Sequence, residues 1–490
     1  MRDIKKLLAG AMALTITAGL SACASDEGGT EGGAAEVTTT AEVTTTTVAT
    51  VEKNTETLAA EEEEALSTAL SQLQDVDLAN KEIKWLAHYD INPGGNGASK
   101  KVELELFEKK YGGSIKWYQT TYENRYNDLS TYVLGGEGID FFPSEAGNLP
   151  KGIISGMFQP VDDYIDLNDD IWKNTAEGMK LYQFGDNYYT FVTNLRANFY
   201  IYYNTETIEA NGLDDPWELY EAGEWNWDTF KSMLEEFVDE ENDQWGIDGY
   251  WAENALLLSG GVPTVESVDG QLVCNLNDPG MEKAMNYQYD LFNAGLVFPR
   301  EQFNWAEQPA MMGEGRQLFY IVGAYSIQAD PATWVTKIDP ENVGIVPVPS
   351  PAGSDPYAAA KLNGFAICKG ATNPQGVALF AECNIIGGKD EGAQAISDRK
   401  TMDDFQWSQE LIDKNNEINE LARQYPVVDL ASGCSTDIAS YTTQGGDNVG
   451  TRAALHGTDW ASNREMIAEV ITMLVDEVNT ELQNKIAELG

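Results

Sequence analysis

Carboxylates are the most abundant groups in this 490-residue chain with any capacity for chemistry: 79 Asp and Glu stand against 31 Lys and Arg, a formal charge of −48. Such a balance speaks against nucleic acid, anionic lipid and polyanionic substrates and leaves neutral or cationic ligands. Paired carboxylates are what glycoside cleavage requires, but at this density pairs occur throughout and single out no site. No Gly-x-Ser-x-Gly, His-Glu-x-x-His or Gly-x-x-x-x-Gly-Lys occurs, so the serine-hydrolase, zinc-protease and nucleotide-phosphate motifs are absent. Asp239-Glu240-Glu241-Asn242-Asp243 has the oxygen ligands of a calcium loop, yet Gln244 stands where that loop requires Gly and no terminal Glu follows at the right distance. Cys274, Cys368, Cys383 and Cys434 are scattered without close spacing, which removes the usual zinc and redox readings; buried free thiols are the simpler expectation, with disulfides left open. Neither a metal nor a cofactor is therefore expected.

The fifth cysteine has a different setting. Cys23 closes Leu20-Ser21-Ala22-Cys23, behind a basic start (Arg2, Lys5, Lys6) and an apolar run from Leu7 to Leu20. A charged start, a short apolar stretch and small residues describe a secretory signal, and the run is too short and too rich in Ala, Gly and Thr for a transmembrane helix. The triplet before the cysteine resembles the bacterial lipobox. That resemblance implies a lipoprotein signal peptide over 1–22, a diacylglycerol on Cys23, and a chain anchored by lipid on the extracellular face of the cell membrane. Residues 23–57, rich in Thr, Glu, Gly, Ala and Val, cannot bury a core and read as a disordered stalk spanning roughly 30–40 Å. Residues 58–81 read as an acidic helical spacer, with Glu61 to Glu64 near its start and Leu66, Leu70 and Leu73 at helical spacing. Three apolar turns are too few for a dimerising coil, so a monomer is expected.

The globular part begins at Glu82-Ile83-Lys84-Trp85-Leu86, a strand, followed by the turn Asn92-Pro93-Gly94-Gly95-Asn96-Gly97. A helix carrying Val102, Leu104, Leu106 and Phe107 stops at Gly112-Gly113, and a second strand covers Ser114 to Gln119. After another helix comes Gly138-Ile139-Asp140-Phe141-Phe142. This alternation argues for an α/β architecture with a parallel sheet covered by helices. Asn342 to Pro349 and Gly364-Phe365-Ala366-Ile367 read as further strands, and the pattern from Glu465 to the end is helical.

Taken in order, these segments resemble the extracellular solute-binding proteins of bacterial ABC importers, the class that includes maltose-binding protein. The helix ending Phe107-Glu108-Lys109-Lys110-Tyr111-Gly112 looks like that family's first helix, and Gly138-Ile139-Asp140 like its third strand. Tyr202-Tyr203-Asn204, Asn211 to Pro216 and Trp225 to Phe230 look like the crossover into a second lobe. Met311-Met312 before Gly323-Ala324-Tyr325 is similar to the segment supplying a stacking aromatic, and Ile345 to Pro349 resembles the return strand. The resemblance covers about residues 82–490. It implies a two-lobed, hinge-linked fold of discontinuous lobes, 82–196 with 343–398 and 197–342 with 399–490, crossing near Asn194 to Asn198 and near Asp339 to Val343. It also implies a ligand in the interlobe cleft, trapped by closure, and as partners the permease subunits of an importer and through them an ATPase.

A neutral carbohydrate, the ligand class that aromatic richness and negative charge favour, offers apolar faces and rings of hydroxyls. It calls for aromatic plates and for Asp, Glu, Asn and Arg with two-pronged geometry. By the resemblance, His88, Tyr89 and Asp90 form a first-lobe contact loop and Ser144 and Glu145 a second. Arg196 and Asn198 lie at the hinge, Tyr250 and Trp251 match a second-lobe aromatic site, and Trp460 is a further candidate. Tyr325 replaces the family's usual tryptophan, and Ala324 the proline before it. With 22 Tyr and 12 Trp, core packing is the competing role for every aromatic. Asp90 equally suits a loop cap, and Trp225 and Trp227, flanking a helix start at Asp228, read as structural. Peptides and cations remain alternative ligands, and a cell-surface glycoside hydrolase or an adhesion protein are the alternative functions.

Overall fold

The structure, a computed structural model, describes residues 55–92, 99–444 and 446–489. The signal segment, Cys23, nearly all of the stalk and most of the turn after Asn92 lie outside the described residues. In chain order the strands are β1 (Glu82–Ala87), β2 (Ser114–Gln119), β3 (Phe141–Pro143), the hairpin β4–β5 (Gln183–Phe184, Asn187–Tyr188), β6 (Phe191–Ala197) and β7 (Tyr200–Asn204). They continue with β8 (Trp245–Asp248), the hairpin β9–β10 (Val265–Val268, Gln271–Cys274), β11 (Gln317–Val322), β12 (Val343–Val346), β13 (Ala358–Ile367) and β14 (Pro426–Val427).

Two sheets carry the two lobes. The first runs β14-β13-β3-β1-β2 with β6 on the free side of β13, and β1 is parallel to both β2 and β3. The second runs β12-β7-β11-β8. In the first lobe the alternation of Glu82–Ala87 turns Ile83 and Trp85 into the core, where Trp85, Phe141 and Phe365 meet with ring centroids 4.5–5.8 Å apart. Asp140 is fully buried and accepts from the backbone N–H groups of Lys84 (2.9 Å), Thr372 (2.6 Å) and Asn373 (2.7 Å), so one carboxylate joins β1, β3 and the start of the helix Pro374–Gly387. In the second lobe Asn226 caps the helix Trp227–Phe237, and both flanking tryptophans are core: Trp225 packs edge-on to Phe230 and Phe319, and Trp227 stacks on Tyr287 at 4.2 Å.

The chain passes from the first sheet to the second at Asn198–Phe199, between β6 and β7. The return differs from the sequence expectation. β12 was to open the first lobe's second stretch, yet Val343 to Val346 pair antiparallel with Asn204 to Ile201 in the second sheet, and the chain returns through residues 347–357. Pro347, Pro349 and Pro351 follow β12, and proline cannot continue a ladder. The boundary expected after residue 398 falls inside one helix, Glu391–Phe405, tied to the first lobe by Arg399 to Glu62 (3.3 Å), Lys400 to Glu105 (2.6 Å) and Ser99 N–H to Asp404 (2.8 Å). The lobes meet again where Gly185 N–H donates to Gly270 O (3.2 Å) and the Ser267 hydroxyl to Gln183 O (2.9 Å). Gly270 has φ 76°, and a Cβ there would lie 2.5 Å from Gly185 O, so this approach requires glycine.

The acidic stretch before β1 is no free spacer. Helix α1 (Thr55–Gln72) buries Leu66, Ala69 and, just past its end, Leu73 in the core. Gln72 donates to Asp390 (2.8 Å), Gln74 to Glu382 (2.8 Å), and Lys110 pairs with Asp75 (2.6 Å). Its apolar stripe is narrow because it faces one groove of the first lobe. The stretch Asp239 to Asp243 forms a tight turn in which Asp239 accepts from Glu241 and Asn242 N–H, and Asp243 pairs with Arg316. All four cysteines of the globular part are free, three buried and Cys274 half-buried.

Two expectations follow. Leu66→Ala leaves a cavity under α1 and lowers the unfolding free energy by about 2–4 kcal/mol in urea titration, whereas a detached spacer would show no change. Glu382 is buried, and burial pushes its carboxyl up to about 7. Above that pH the fold holds a charge that the unfolded chain keeps in water; the cost is relieved as pH falls from 7 toward the ordinary carboxylate range. Glu382→Gln therefore stabilises by up to roughly 3 kcal/mol at pH 8, with the gain disappearing by pH 4, as read from denaturation at both pH values.

Candidate functional site

The first-lobe rim grows from the ends of β1, β2 and β3. After β1, Trp85 Nε1 donates to Tyr89 O (3.1 Å) and fixes the loop that carries His88 and Tyr89. His88 is half-buried between the ring edges of Tyr89 (4.9 Å) and Tyr122 (5.2 Å), and its Nδ1 has no hydrogen-bond partner. Burial pulls the imidazole below its usual pKa, so it stands neutral at pH 7. Asp90 serves its own loop: its Oδ1 accepts from Asn92 N and Nδ2 at 2.9 Å each, an Asx turn, and Asn92 donates onward to Ile115 O (3.2 Å). After β2, Arg125 lies with its guanidinium 3.6 Å from the Tyr122 ring centroid and 4.4 Å from that of Tyr126. Arg125 Nε donates to Glu145 Oε2 at 3.1 Å, and the Tyr126 hydroxyl donates to the same oxygen at 3.3 Å, which places Glu145 on this rim. Ser144 is buried, its hydroxyl bonded to that of Thr190, and it faces the core.

The hinge strands contribute Arg196 and Asn198. Arg196 is exposed and stands directly opposite Lys361 across β6 and β13; burial and this like charge both pull Lys361 below its usual pKa, partly offset by Glu145. Asn198 N–H donates to Ala359 O at 2.8 Å, extending the ladder by one step to the point where the chain leaves the sheet.

On the second lobe, Tyr250 and Trp251 follow β8. Trp251 adopts φ 73°, uncommon for a bulky residue, and its ring meets that of Tyr250 edge-on at 5.3 Å. Tyr325 sits on the 3-10 turn Ala324–Ile327 after β11. Its phenol is raised above the usual value by burial and then by the charges of Tyr250, Glu307 and Tyr122. Tyr89, Tyr122, Tyr250 and Tyr325 are 42–55 % exposed while most other large aromatics pack in the core, which marks them as available surface.

A cavity of about 220 Å³ opens beside the crossing at Asn198 and Phe199, on the side of Trp251 and Tyr325. Asn198, Trp251 and Tyr325 line it together, three sequence candidates from the hinge, β8 and β11. Apolar Phe199, Leu257 and Leu258 and polar Asn254, Thr264, Asp429, Ser432, Thr442, Thr443 and Gln444 make up the rest of the wall. Asp429, Ser432, Thr443 and Gln444 were not foreseen: Ser432 lies in the one-turn helix Ala431–Cys434 and the others in irregular segments after β14 and after the helix Thr436–Thr442, too short for spacing to carry a signal. Asp429 is held by Thr264 N–H (2.9 Å), the Thr264 hydroxyl (2.5 Å) and Ala431 N–H (2.8 Å). Thr443 lines the cavity, and its Oγ1 is buried with no hydrogen-bond partner. Trp460 corrects an expectation: it is 1 % exposed, opens the C-terminal helix and does not line the cavity, because its ring fills the packing beneath that helix. His88, Tyr89, Asp90, Ser144, Glu145, Arg196 and Tyr250 likewise stand off the lining. Among the described residues no cluster of three His, Cys, Asp or Glu could hold a metal ion, and no helix is long and apolar enough to cross a membrane.

No protein-family model matches the sequence. No curated protein matches it by sequence either. Solved structures do match in three dimensions. The GacH receptor of Streptomyces glaucescens, described unliganded and with acarbose, superposes with TM-score 0.56 at 14% identity over 81% of this chain and 98% of its own. A cyclo/maltodextrin-binding protein with maltotetraose gives 0.53 at 16% identity over 83% and 97%. An extracellular solute-binding protein from Staphylococcus aureus with maltose gives 0.53 at 13% identity over 84% and 99%. The chain thus has the two-lobed α/β fold of the sugar-binding, solute-capturing proteins of ABC transporters.

Proposed function

We propose that this protein is the solute-binding component of an ABC importer and captures a neutral carbohydrate, an oligosaccharide, between its lobes. The observation that carries the reading is the convergence of Asn198, Trp251 and Tyr325 on one cavity at the chain crossing, beside the unpartnered hydroxyl of Thr443. Aromatic faces take the apolar side of a sugar ring, and amide, hydroxyl and carboxylate groups take its hydroxyls. At about 220 Å³ the cavity is smaller than the roughly 300–1,000 Å³ of drug-sized ligand sites. It suits one ring, with further rings lying over the exposed Tyr250, Tyr89 and Tyr122. The structural neighbours described with acarbose, maltotetraose and maltose support the ligand class.

A ligand touching both lobes binds the closed arrangement more tightly and shifts the population toward it, which is the form a permease would recognise. The lipid on Cys23 and the Thr-rich stalk would hold this trap at the extracellular face of the membrane near its permease. No catalytic pair is assigned: the carboxylates at the site, Glu145 and Asp429, are each committed to hydrogen bonds that position loops.

A thermal-shift and calorimetric panel of neutral mono- and oligosaccharides should show stabilisation with the sugar recovered intact. Release of new reducing ends would establish hydrolysis instead, and stabilisation by charged solutes alone would replace the carbohydrate reading. Tyr325→Ala should weaken binding of the best sugar at least tenfold, about 1.4 kcal/mol, in titration calorimetry while leaving the melting temperature of the free protein within about two degrees.

A further inference from the structure

The Tyr250–Trp251 turn is an expensive piece of backbone. Gly249 lies so close to β11 that a Cβ would fall 2.2 Å from Ile321 O, and Trp251 has positive φ. Something must hold it, and the hydrogen bonds converge on Arg300. Arg300 Nε and Nη2 donate to Asp248 Oδ1 at 2.8 and 2.5 Å, and Nη2 donates to Gly249 O at 2.8 Å. Nη1 pairs with Glu307 Oε1 at 3.3 Å, and the Tyr320 hydroxyl donates to Glu307 Oε2 at 3.1 Å. Asp248 is 1 % exposed and Arg300 12 %, so the pair is shielded from water and from any ligand in the cavity. The same arginine reaches a second aromatic through its backbone: Trp305 N–H donates to Arg300 O at 2.8 Å. Trp305 and the preceding Asn304 both have positive φ, and the Trp305 ring is 51 % exposed, 5.1 Å from that of His456. The backbones that carry Tyr250, Trp251 and Trp305 are therefore all within the length of one side chain.

We propose that Arg300 is the positioning residue of the cavity: its guanidinium and its own carbonyl hold the Tyr250–Trp251 turn and Trp305 as one aromatic wall, and Trp305 extends the sugar-binding surface beyond the cavity. The proposal rests on the carbohydrate reading for its ligand but not for its geometry. An arginine suits the task because its planar fork satisfies a carboxylate, a carbonyl and a second carboxylate at once, which a lysine cannot do. Two other carboxylate-bearing neighbours face the knot: Glu253, on the helix after Trp251 and bonded to Thr451 (3.3 Å), and Glu307. With Asp248 they give three acids around one cation, so removing that cation leaves like charges to push the wall apart.

The test uses the full chain and reads the wall first without ligand. Amide hydrogen exchange is followed at 250–252 and 304–306 in wild type, Arg300→Gln, Arg300→Lys and, as a control for loss of a surface ion pair beside β8, Arg316→Gln. Arg300→Gln should speed exchange at 250–252 at least tenfold and at 304–306 by a smaller factor, since the carbonyl that holds the Trp305 amide is kept and only its anchoring side chain is lost; Arg300→Lys should restore part of the protection, and Arg316→Gln should leave both segments as in wild type. If Arg300→Gln unfolds the chain, Asp248→Asn, which keeps the size of the group and drops its charge, serves in its place with the same expectation at a smaller fold-change. Maltotetraose is then titrated: affinity should fall at least tenfold in Arg300→Gln, and Trp305→Ala should weaken maltotetraose more than glucose. Unchanged exchange in both segments overturns the positioning role whatever the ligand. Wild type that binds no sugar while the exchange result holds overturns the carbohydrate reading and the sugar-binding role of Trp305, and leaves Arg300 as the residue that sets the wall.

Discussion

The cavity depends on how briefly the chain travels between its two sheets. β6 ends at Ala197 and β7 begins at Tyr200, leaving Asn198 and Phe199 as the whole of the first crossing, and both line the cavity. Asn198 is still tied to Ala359 by its N–H while Tyr200 already belongs to the second ladder. Two residues cannot reach far, so the end of β6 and the start of β7 hold the two sheets close together at this point. The cavity lies at this junction, with Trp251 after β8 and Tyr325 after β11 in its wall, in keeping with the placement of ligands at strand ends in open α/β sheets. The longer, proline-interrupted return through 347–357 imposes no such limit, which suits it to follow a change of angle set at the first crossing.

Each lobe seats an arginine beside the loop that carries its aromatic residues. Arg125 lies against the rings of Tyr122 and Tyr126 and pairs with Glu145; Arg300 pairs with Asp248 and Glu307 and donates to the carbonyl of Gly249, the residue before Tyr250. In a chain with 79 acids and 31 bases, cations are scarce, and these two are mostly buried. The guanidinium supplies several directed donors from one rigid plane, so a loop that carries an exposed ring can be stiff without a large apolar contact of its own. Rigid plates lose little entropy on meeting a ligand, which matters for sugars because their hydroxyls exchange hydrogen bonds with water at small net gain.

The strands of the first lobe were legible because their pattern is local: Glu82–Ala87 alternates, and Gly112 stops the helix before β2 with a left-handed turn. The allegiance of β12 was not, because Val343–Val346 is apolar throughout and would suit either sheet; only its partner, β7, decides. Likewise Leu66, Leu70 and Leu73 announce a stripe, but the surface that receives it comes from helices distant in sequence. At the site, Trp251, Tyr325 and Asn198 were recognisable by type and place, while Ser144 and Trp460 have equally suitable chemistry and differ only in burial. Asp429 and Thr443 could not be singled out, since a buried hydroxyl without a partner becomes visible only when its neighbours are in place.

The docking of α1 has a mechanical consequence. Its ion pairs and hydrogen bonds, and those of the run that follows it, reach Glu382, Asp390, Arg399, Lys110 and Asn373, all on the first lobe. Any hold on the N-terminal segment is thereby a hold on that lobe. The second lobe is joined to it through the short crossing at Asn198, the prolyl return, the run after β14 that leads to the C-terminal helix, and contacts such as Gly185 N–H to Gly270 O and the Ser267 hydroxyl to Gln183 O. A load applied through the residues before α1 therefore enters the first lobe and reaches the second only across these connections.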